Sequence, residues 1–141
     1  MQRFLVAYDG SESARQAAVM AAEMAKKHGA SVGVICVGEY RQAAEARDEA
    51  EREARRLAEE GAAIVERKGV PATIAVRLGE PASGILQTVL DDPYDLIIMG
   101  HRGMTPGRFW MLGSVALKLV NLASCPVLVV RHEGSPAATA G

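Results

Sequence analysis

Runs of consecutive aliphatic residues alternate along the chain with stretches in which apolar residues recur every three or four positions. The runs predict buried β-strands, and the stretches between them predict helices. Because the runs are apolar throughout rather than at every second position, both faces of the sheet must be covered, which is typical of a parallel sheet in an α/β domain. The five predicted strands span residues 4–8, 32–37, 73–76, 95–99 and 126–130.

The predicted helices have recognisable ends. Ser11 is suited to cap a first helix that reaches about residue 28, where Gly29 stops it. A long second helix is predicted over about residues 41–68, and its charged side is interpreted as a solvated face rather than as a docking surface. A third helix begins at Pro81, and a fourth follows Gly113.

Length, charge and cysteine content narrow the class of protein. The 141 residues fit one domain, predicted over 1–132, followed by a flexible tail at 133–141. A net charge of −1 and no long apolar span argue against nucleic-acid or membrane partners, and a cytoplasmic location is expected. Cys36 and Cys125 are expected to be free thiols, and the three histidines show no metal-ligand spacing.

One glycine-rich segment carries most of the chemical signal. Gly100 follows the fourth strand, Gly103 comes three residues later, and Gly113-Ser114 opens the fourth helix after nine more. Glycine lets backbone N–H groups approach phosphate oxygens, and a helix N-terminus presents further N–H groups with its positive dipole end. We therefore expect an anion site here, where Arg102 and Arg108 are candidates to balance phosphate charge, while an exposed surface position explains Arg108 equally well.

The ends of the first two strands complete a predicted nucleotide crevice. Ligands of open parallel sheets bind beyond the carboxyl ends of the strands, where the strand order reverses. If the first and fourth strands are neighbours at that point, Asp9 faces the glycine segment and Val37 lies beside them. A carboxylate, an exposed backbone and an aliphatic wall suit the ribose, phosphates and base of a nucleotide.

The pattern Gly100-x2-Gly103-x9-Gly113-Ser114, together with the segment that runs from Val6 to Ser11, resembles the ATP-binding branch of the universal stress protein family. The resemblance extends over about residues 2–131. It implies a doubly wound five-stranded parallel sheet in the order 3-2-1-4-5, with helices on both faces, like that of the adenine-nucleotide alpha-hydrolases. It also implies a homodimer that pairs through the edge strand Val127–Val130.

The resemblance further implies roles for individual residues. Asp9 would lie by the nucleoside and Val37 against adenine, while the glycines and Ser114 would meet ribose and phosphates. The implied ligand is ATP, with any Mg²⁺ carried on its phosphates. AMP and a cyclic nucleotide are alternatives, because a backbone anion site discriminates poorly between numbers of phosphates. The whole implied binding set comprises Tyr8, Asp9, Gly10, Ser11, Val37, Met99, Gly100, Arg102, Gly103, Gly113, Ser114, Val115 and Ala116.

Several of these residues have a structural alternative. Asp9 could instead cap the first helix or brace a turn, and the glycines could serve turn geometry alone. His101 could contact the ligand or point to solvent. The bulky segment 109–111 (Phe-Trp-Met) could close over a nucleotide, although packing on the domain or on a partner subunit is favoured.

The motifs of efficient nucleotide hydrolysis are missing from the sequence. It has no Gly-x4-Gly-Lys-Ser/Thr loop, no Gly-x-Ser-x-Gly elbow and no kinase loop. The favoured function is therefore an ATP-binding regulatory module without catalytic or metal-ligating residues. The alternatives are a slow ATPase or self-phosphorylating enzyme, with Ser11 or Ser114 as acceptors, and a nucleotide-free interaction scaffold.

Overall fold

Strands and helices alternate strictly along the computed structural model, which describes residues 2–101 and 113–131. The five predicted strands are confirmed, with bounds that differ by one or two residues at most of their ends. In chain order the elements are β1 Arg3–Ala7, α1 Glu12–His28, β2 Ser31–Gly38, α2 Ala44–Glu66, β3 Ala72–Leu78, α3 Pro81–Asp91, β4 Leu96–Gly100, α4 Ser114–Leu122 and β5 Val127–Val130.

All five strands are parallel and lie in the order β3-β2-β1-β4-β5. The expected order is thereby confirmed. In the central strand β1, Leu5 is paired with Gly33 of β2 on one side and with Ile97 of β4 on the other. The chain moves outward from β1 through β2 to β3 and then crosses to β4. The reversal between β1 and β4 creates the crevice in which ligands of such sheets bind.

The two faces of the sheet are covered by different kinds of side chain. On one face α1 and α2 pack against Val6, Val34 and Ile98. On the other face α3 and α4 contribute larger side chains, including Ile85 and Leu119, which pack against the sheet's aliphatic residues. Helix α1 instead buries a series of alanines: Ala14, Ala17, Ala18, Ala21, Ala22 and Ala25.

The ends of α1 confirm the sequence prediction, whereas the start of α2 does not. The Ser11 hydroxyl accepts the N–H of Ala14 at 3.2 Å, and Gly29 ends α1 in the left-handed region with φ +66°. Helix α2 begins at Ala44 rather than at about residue 41. Its N-cap, Ala43, makes no side-chain cap, so no residue of capping type marks this helix start in the sequence.

Some predictions fall outside the part of the chain that the structure describes. The tail at 133–141 is one of them. Within residues 2–101 and 113–131, no helix is both long and apolar enough to cross a membrane. Cys36 is buried, Cys125 is half-buried, and both are free thiols, as predicted. The cytoplasmic location and the lack of a nucleic-acid partner stay predictions.

The start of α3 yields a prediction about acid stability. The Glu80 carboxylate accepts the N–H of Ser83 at 2.6 Å and lies 3.0 Å from the Lys118 ammonium. The Ser83 N–H, helped by Lys118, lowers the pKa of Glu80 from 4.5 to about 2. A lowered pKa means that the stabilisation is complete above the unfolded-state value and is lost as the pH falls towards the folded-state value.

Glu80→Ala is therefore expected to lower the free energy of unfolding by about 1 kcal/mol at pH 7, the usual worth of a helix cap. The difference from wild type should shrink between pH 4.5 and about 2. Urea unfolding over this pH range measures it. Glu80→Gln, which keeps an acceptor oxygen without the charge, is the control. A difference that does not change with pH would contradict the role of the charge.

Candidate functional site

A cavity of about 500 Å³ opens at the carboxyl ends of β1, β2 and β4. It lies at the point of strand reversal, where the sequence predicted a crevice. Ten residues of the predicted binding set line it: Tyr8, Asp9, Ser11, Val37, Met99, Gly100, Gly113, Ser114, Val115 and Ala116. Most of the predicted set is thus brought to one place by four different elements and their loops.

Three predicted residues are not among the lining residues. Gly10 lies in the β1–α1 turn but does not line the cavity; it has a φ of +83° and packs towards α2. Arg102 and Gly103 lie outside the described residues, as do Arg108 and the aromatic segment 109–111. Their roles stay predictions.

The cavity also contains residues that the sequence reasoning did not select: Ala7, Ala14, Ile35, Pro81, Ile85 and His101. A signal was available for two of them. Pro81 opens α3 directly after β3, and Ile85 follows one helical turn later, so both lie near the carboxyl edge of the sheet. Ala7 and Ile35 carry no such signal, because an aliphatic residue in a strand looks like any other core residue.

The polar side of the cavity is formed by the β1–α1 turn. Asp9 is exposed, and its Oδ1 accepts the N–H of Ser11 at 3.0 Å, while Ser11 in turn caps α1. Asp9 therefore braces the turn, which is one of the alternatives considered from the sequence. It also borders the cavity, so bracing the turn and facing a ligand are compatible roles.

The N-terminus of α4 forms the opposite side. Gly113 is the N-cap residue and has no side chain to bond the N–H groups of the first turn. Its own N–H donates to the His101 carbonyl at 2.7 Å, which fixes the start of the helix relative to β4. By contrast, α1 and α3 are capped by Ser11 and Glu80. An N-terminus of this kind is suited to bind an anion.

An aliphatic wall closes the crevice on the β2 side. Helix α3 packs tightly against Val37 at Gly84, where an added Cβ would lie 2.9 Å from Val37 Cγ2. Val37 and Ile85 both line the cavity, and Ile85 is buried. A flat apolar surface of this kind is suited to pack against a planar heterocycle.

The structure provides a packing reason for Gly100. A Cβ built on this residue would lie 2.7 Å from the backbone carbonyl carbon of Ser13, at the start of α1. Ser13 is itself buried, and the contact involves main chain, which cannot rotate away. Close packing of β4 on α1 therefore requires glycine at this position, whatever binds in the crevice.

His101 lies inside the protein rather than in solvent. It has no exposed surface, and it lines the cavity. Its backbone N–H donates to the Val130 carbonyl at 2.9 Å, so it extends the pairing of β4 with β5. The alternative that His101 points to solvent is wrong, because its position between the ends of these strands buries it.

The cavity combines three kinds of group. It offers helix N–H groups, an exposed carboxylate and an aliphatic wall within one cavity. Across residues 2–101 and 113–131, no group of three or more His, Cys, Asp or Glu side chains is arranged to hold a metal ion.

The sequence is similar to that of a known protein family. The model of the Universal stress protein family matches residues 1–131. A universal stress protein from Thermus aquaticus is 38% identical over 132 residues, which cover 90% of this chain and 96% of the relative. The universal stress protein YxiE of Bacillus subtilis is 33% identical over 147 residues, covering 92% of this chain and 98% of the relative.

Solved structures share the fold. The hypothetical protein MJ0577 is 26% identical, with a TM-score of 0.85 over 95% of this chain and 98% of its own. A universal stress protein from Archaeoglobus fulgidus in complex with dAMP is 24% identical, with a TM-score of 0.74 over 92% and 98%. An AMP-bound family protein from Arabidopsis thaliana is 18% identical, with a TM-score of 0.71 over 95% and 94%.

Proposed function

Because the chain belongs to the universal stress protein family, we propose that it binds an adenine nucleotide, and ATP in particular, in the crevice between β1 and β4. The single observation that carries this proposal is the pairing of the α4 N-terminus with the β1–α1 turn across one cavity. The volume of about 500 Å³ lies in the range of small-molecule sites. The dAMP and AMP complexes of proteins with the same fold support the choice of ligand.

Each part of the nucleotide has a counterpart in the crevice. Adenine packs against Val37, and the ribose lies by Asp9, whose carboxylate accepts hydrogen bonds from hydroxyl groups. The phosphates meet the N-terminus of α4, where the backbone N–H groups from Ser114 onward and the helix dipole favour negative charge. The resemblance adds Arg102 and Gly103 to the phosphate contacts, and Mg²⁺ would be carried on the phosphates.

We favour a regulatory role based on binding over one based on turnover. A ligand that binds only the folded state stabilises it, and a ligand that prefers one conformation populates it.

The second copy in the proposed homodimer pairs at β5, the edge strand of the sheet. Among the described residues, no strand pairs with the outer edge of β5, and an edge of valine and leucine is a surface that a folded protein normally covers.

The test is to identify what the purified protein holds. The protein is denatured and the released small molecules are analysed by mass spectrometry. Nucleotide-free protein is then titrated calorimetrically with ATP and with AMP. We expect released adenine nucleotide, saturable ATP binding and no steady product formation over hours. The phosphate contacts at α4 predict tighter binding of ATP than of AMP.

Two other results would overturn the proposal. Steady conversion of ATP to ADP, in proportion to protein concentration, would favour the slow enzyme. No release of nucleotide and no heat of binding at millimolar ATP would favour the nucleotide-free scaffold. Incubation with γ-labelled ATP, followed by protein mass spectrometry, detects transfer to Ser11 or Ser114 and so separates self-phosphorylation from hydrolysis.

A further inference from the structure

One face of α2 contacts the end of β1 at three consecutive points. Leu57 precedes Glu60 by three residues and Gly61 by four, about one helical turn, so the three lie on the same side of α2. A Cβ added to Gly61 would lie 2.9 Å from Cγ of the Tyr8 ring. Glycine at this position therefore lets the helix backbone approach the ring closely.

The Tyr8 side chain is held by a carboxylate from α2. Its hydroxyl donates to Glu60 Oε2 at 2.5 Å, and only 2% of the residue is exposed. Burial and this hydrogen bond raise the pKa of Tyr8, so the phenol stays protonated and continues to donate. Arg15 of α1 also interacts with the Tyr8 hydroxyl, so β1, α1 and α2 meet at this group.

The next residues along the chain are pressed against the same helix face. Gly10 has a φ of +83°, and a Cβ added to it would lie 2.9 Å from Leu57 Cδ2 and 3.9 Å from Glu60 Oε2. Gly10 stands between Asp9 and Ser11, both of which line the cavity. The turn that forms the polar side of the cavity therefore packs against α2.

Helix α2 itself contributes no residue to the cavity among those described. Any mechanical influence of α2 on a ligand is therefore transmitted by the residues that α2 contacts. The shortest route runs from Glu60 through the Tyr8 hydroxyl to the Tyr8 backbone, directly after β1, and from there to Asp9, the next residue.

We propose that Glu60 is a positioning residue for the nucleotide site: by accepting the Tyr8 hydroxyl it fixes the end of β1 and thereby the orientation of the Asp9–Ser11 turn. This inference rests on the proposed function for its effect on affinity. The geometric part, the fixing of the turn, does not depend on the ligand.

The test compares ATP binding by the wild type and by the variants Glu60→Ala, Tyr8→Phe and the double variant. Each single change is expected to raise the Kd for ATP by about tenfold, a size usual for coupling within one hydrogen-bond network. The double variant should bind no more weakly than either single variant, because both remove the same bond. Glu60→Gln keeps an acceptor oxygen and is expected to bind within about twofold of wild type.

Val65→Ala is the matched control for a general loss of stability. Val65 is fully buried one turn further along α2, where it faces the core rather than the turn. The change should lower the Tm and leave the Kd for ATP unaltered. If Val65→Ala weakens ATP binding as much as Glu60→Ala does, the effect is one of stability and the inference is overturned.

Amide spectra of the nucleotide-free protein separate this inference from the proposed function. In ¹H–¹⁵N NMR spectra, Glu60→Ala and Tyr8→Phe are expected to shift the Gly10 and Ser11 signals, whereas Glu60→Gln restores them towards wild type. If the wild type binds neither ATP nor AMP, the proposed function fails while these shifts still test the positioning. Unchanged signals at Gly10 and Ser11 would overturn the role of Glu60.

Discussion

Gly113→Val is expected to weaken ATP binding by at least about a hundredfold, because it would block two hydrogen bonds that the proposed site offers to a charged phosphate, together worth about 3 kcal/mol. A side chain at the N-cap lies over the N–H groups of the first helical turn. A branched valine there occupies the space that a phosphate would need. The backbone itself tolerates the change, since Gly113 has the extended angles φ −66° and ψ 162°.

A graded series makes this prediction sharper. Gly113→Ala should weaken ATP binding less than valine does, because one methyl group covers less of the helix end. Gly113→Ser adds a hydroxyl that bonds the same N–H groups, so it should compete with phosphate without lowering the Tm. Calorimetric titration gives the Kd, and thermal unfolding gives the Tm of each nucleotide-free variant. Normal ATP affinity in Gly113→Val would show that the phosphates do not meet α4.

The largest loss of stability is expected for Gly100→Val, at about 3 kcal/mol, the upper part of the usual range for overpacking a core. The new Cβ would approach the Ser13 backbone to 2.7 Å, so β4 and α1 must move apart. For a domain of this size the Tm should fall by about 10 °C. Chemical and thermal unfolding of the nucleotide-free protein measure the effect.

Two comparisons identify the cause of that loss. Gly69→Ala places a Cβ in open space at a φ of +85°, so it tests backbone strain alone, at about 1 kcal/mol. Ser13→Gly combined with Gly100→Ala should recover only part of the stability that Gly100→Ala loses. The obstacle includes the Ser13 main chain, which that substitution leaves in place. Gly100→Val within about 2 °C of wild type would contradict the packing argument.

Much of the fold could be predicted because its signals are local. Continuous aliphatic runs gave the five parallel strands, and Ser11 and Gly29 marked both ends of α1 through capping and left-handed geometry. The predicted start of α2 was wrong because no local signal marks it. Ala43 carries no capping group, and the segment before it is held by contacts of the Arg47 side chain with the carbonyls of residues 41 and 42.

The candidate site was predicted only in part. The backbone features could be found because Gly113 opens a helix and Asp9 follows a strand, and both places are ones where α/β sheets bind ligands. Ile85 of α3 was not predicted to line the site: its place one helical turn after Pro81 indicated the carboxyl edge of the sheet, but an aliphatic residue in a helix does not by itself indicate a ligand. The predicted roles of Arg102 and Gly103 lie outside the described residues and stay predictions.

Long-range packing could not be predicted at all. Nothing in the sequence indicates that Gly61, in the middle of a long helix, faces the ring of a tyrosine far earlier in the chain. The same holds for Gly100 against Ser13, and for the burial of His101. These contacts depend on which elements become neighbours in the fold, and the sequence around each residue does not indicate which elements those are.

The row of buried alanines on α1 distinguishes its side of the sheet from the side that α3 and α4 cover. Alanine has no side-chain rotamers to exchange, so α1 has few ways to repack against the sheet. The opposite layer contains longer aliphatic side chains, such as Leu119 and Ile85, that can change rotamer. We therefore expect any adjustment of the crevice to ligands of different size to involve the side chains of α3 and α4 more than those of α1.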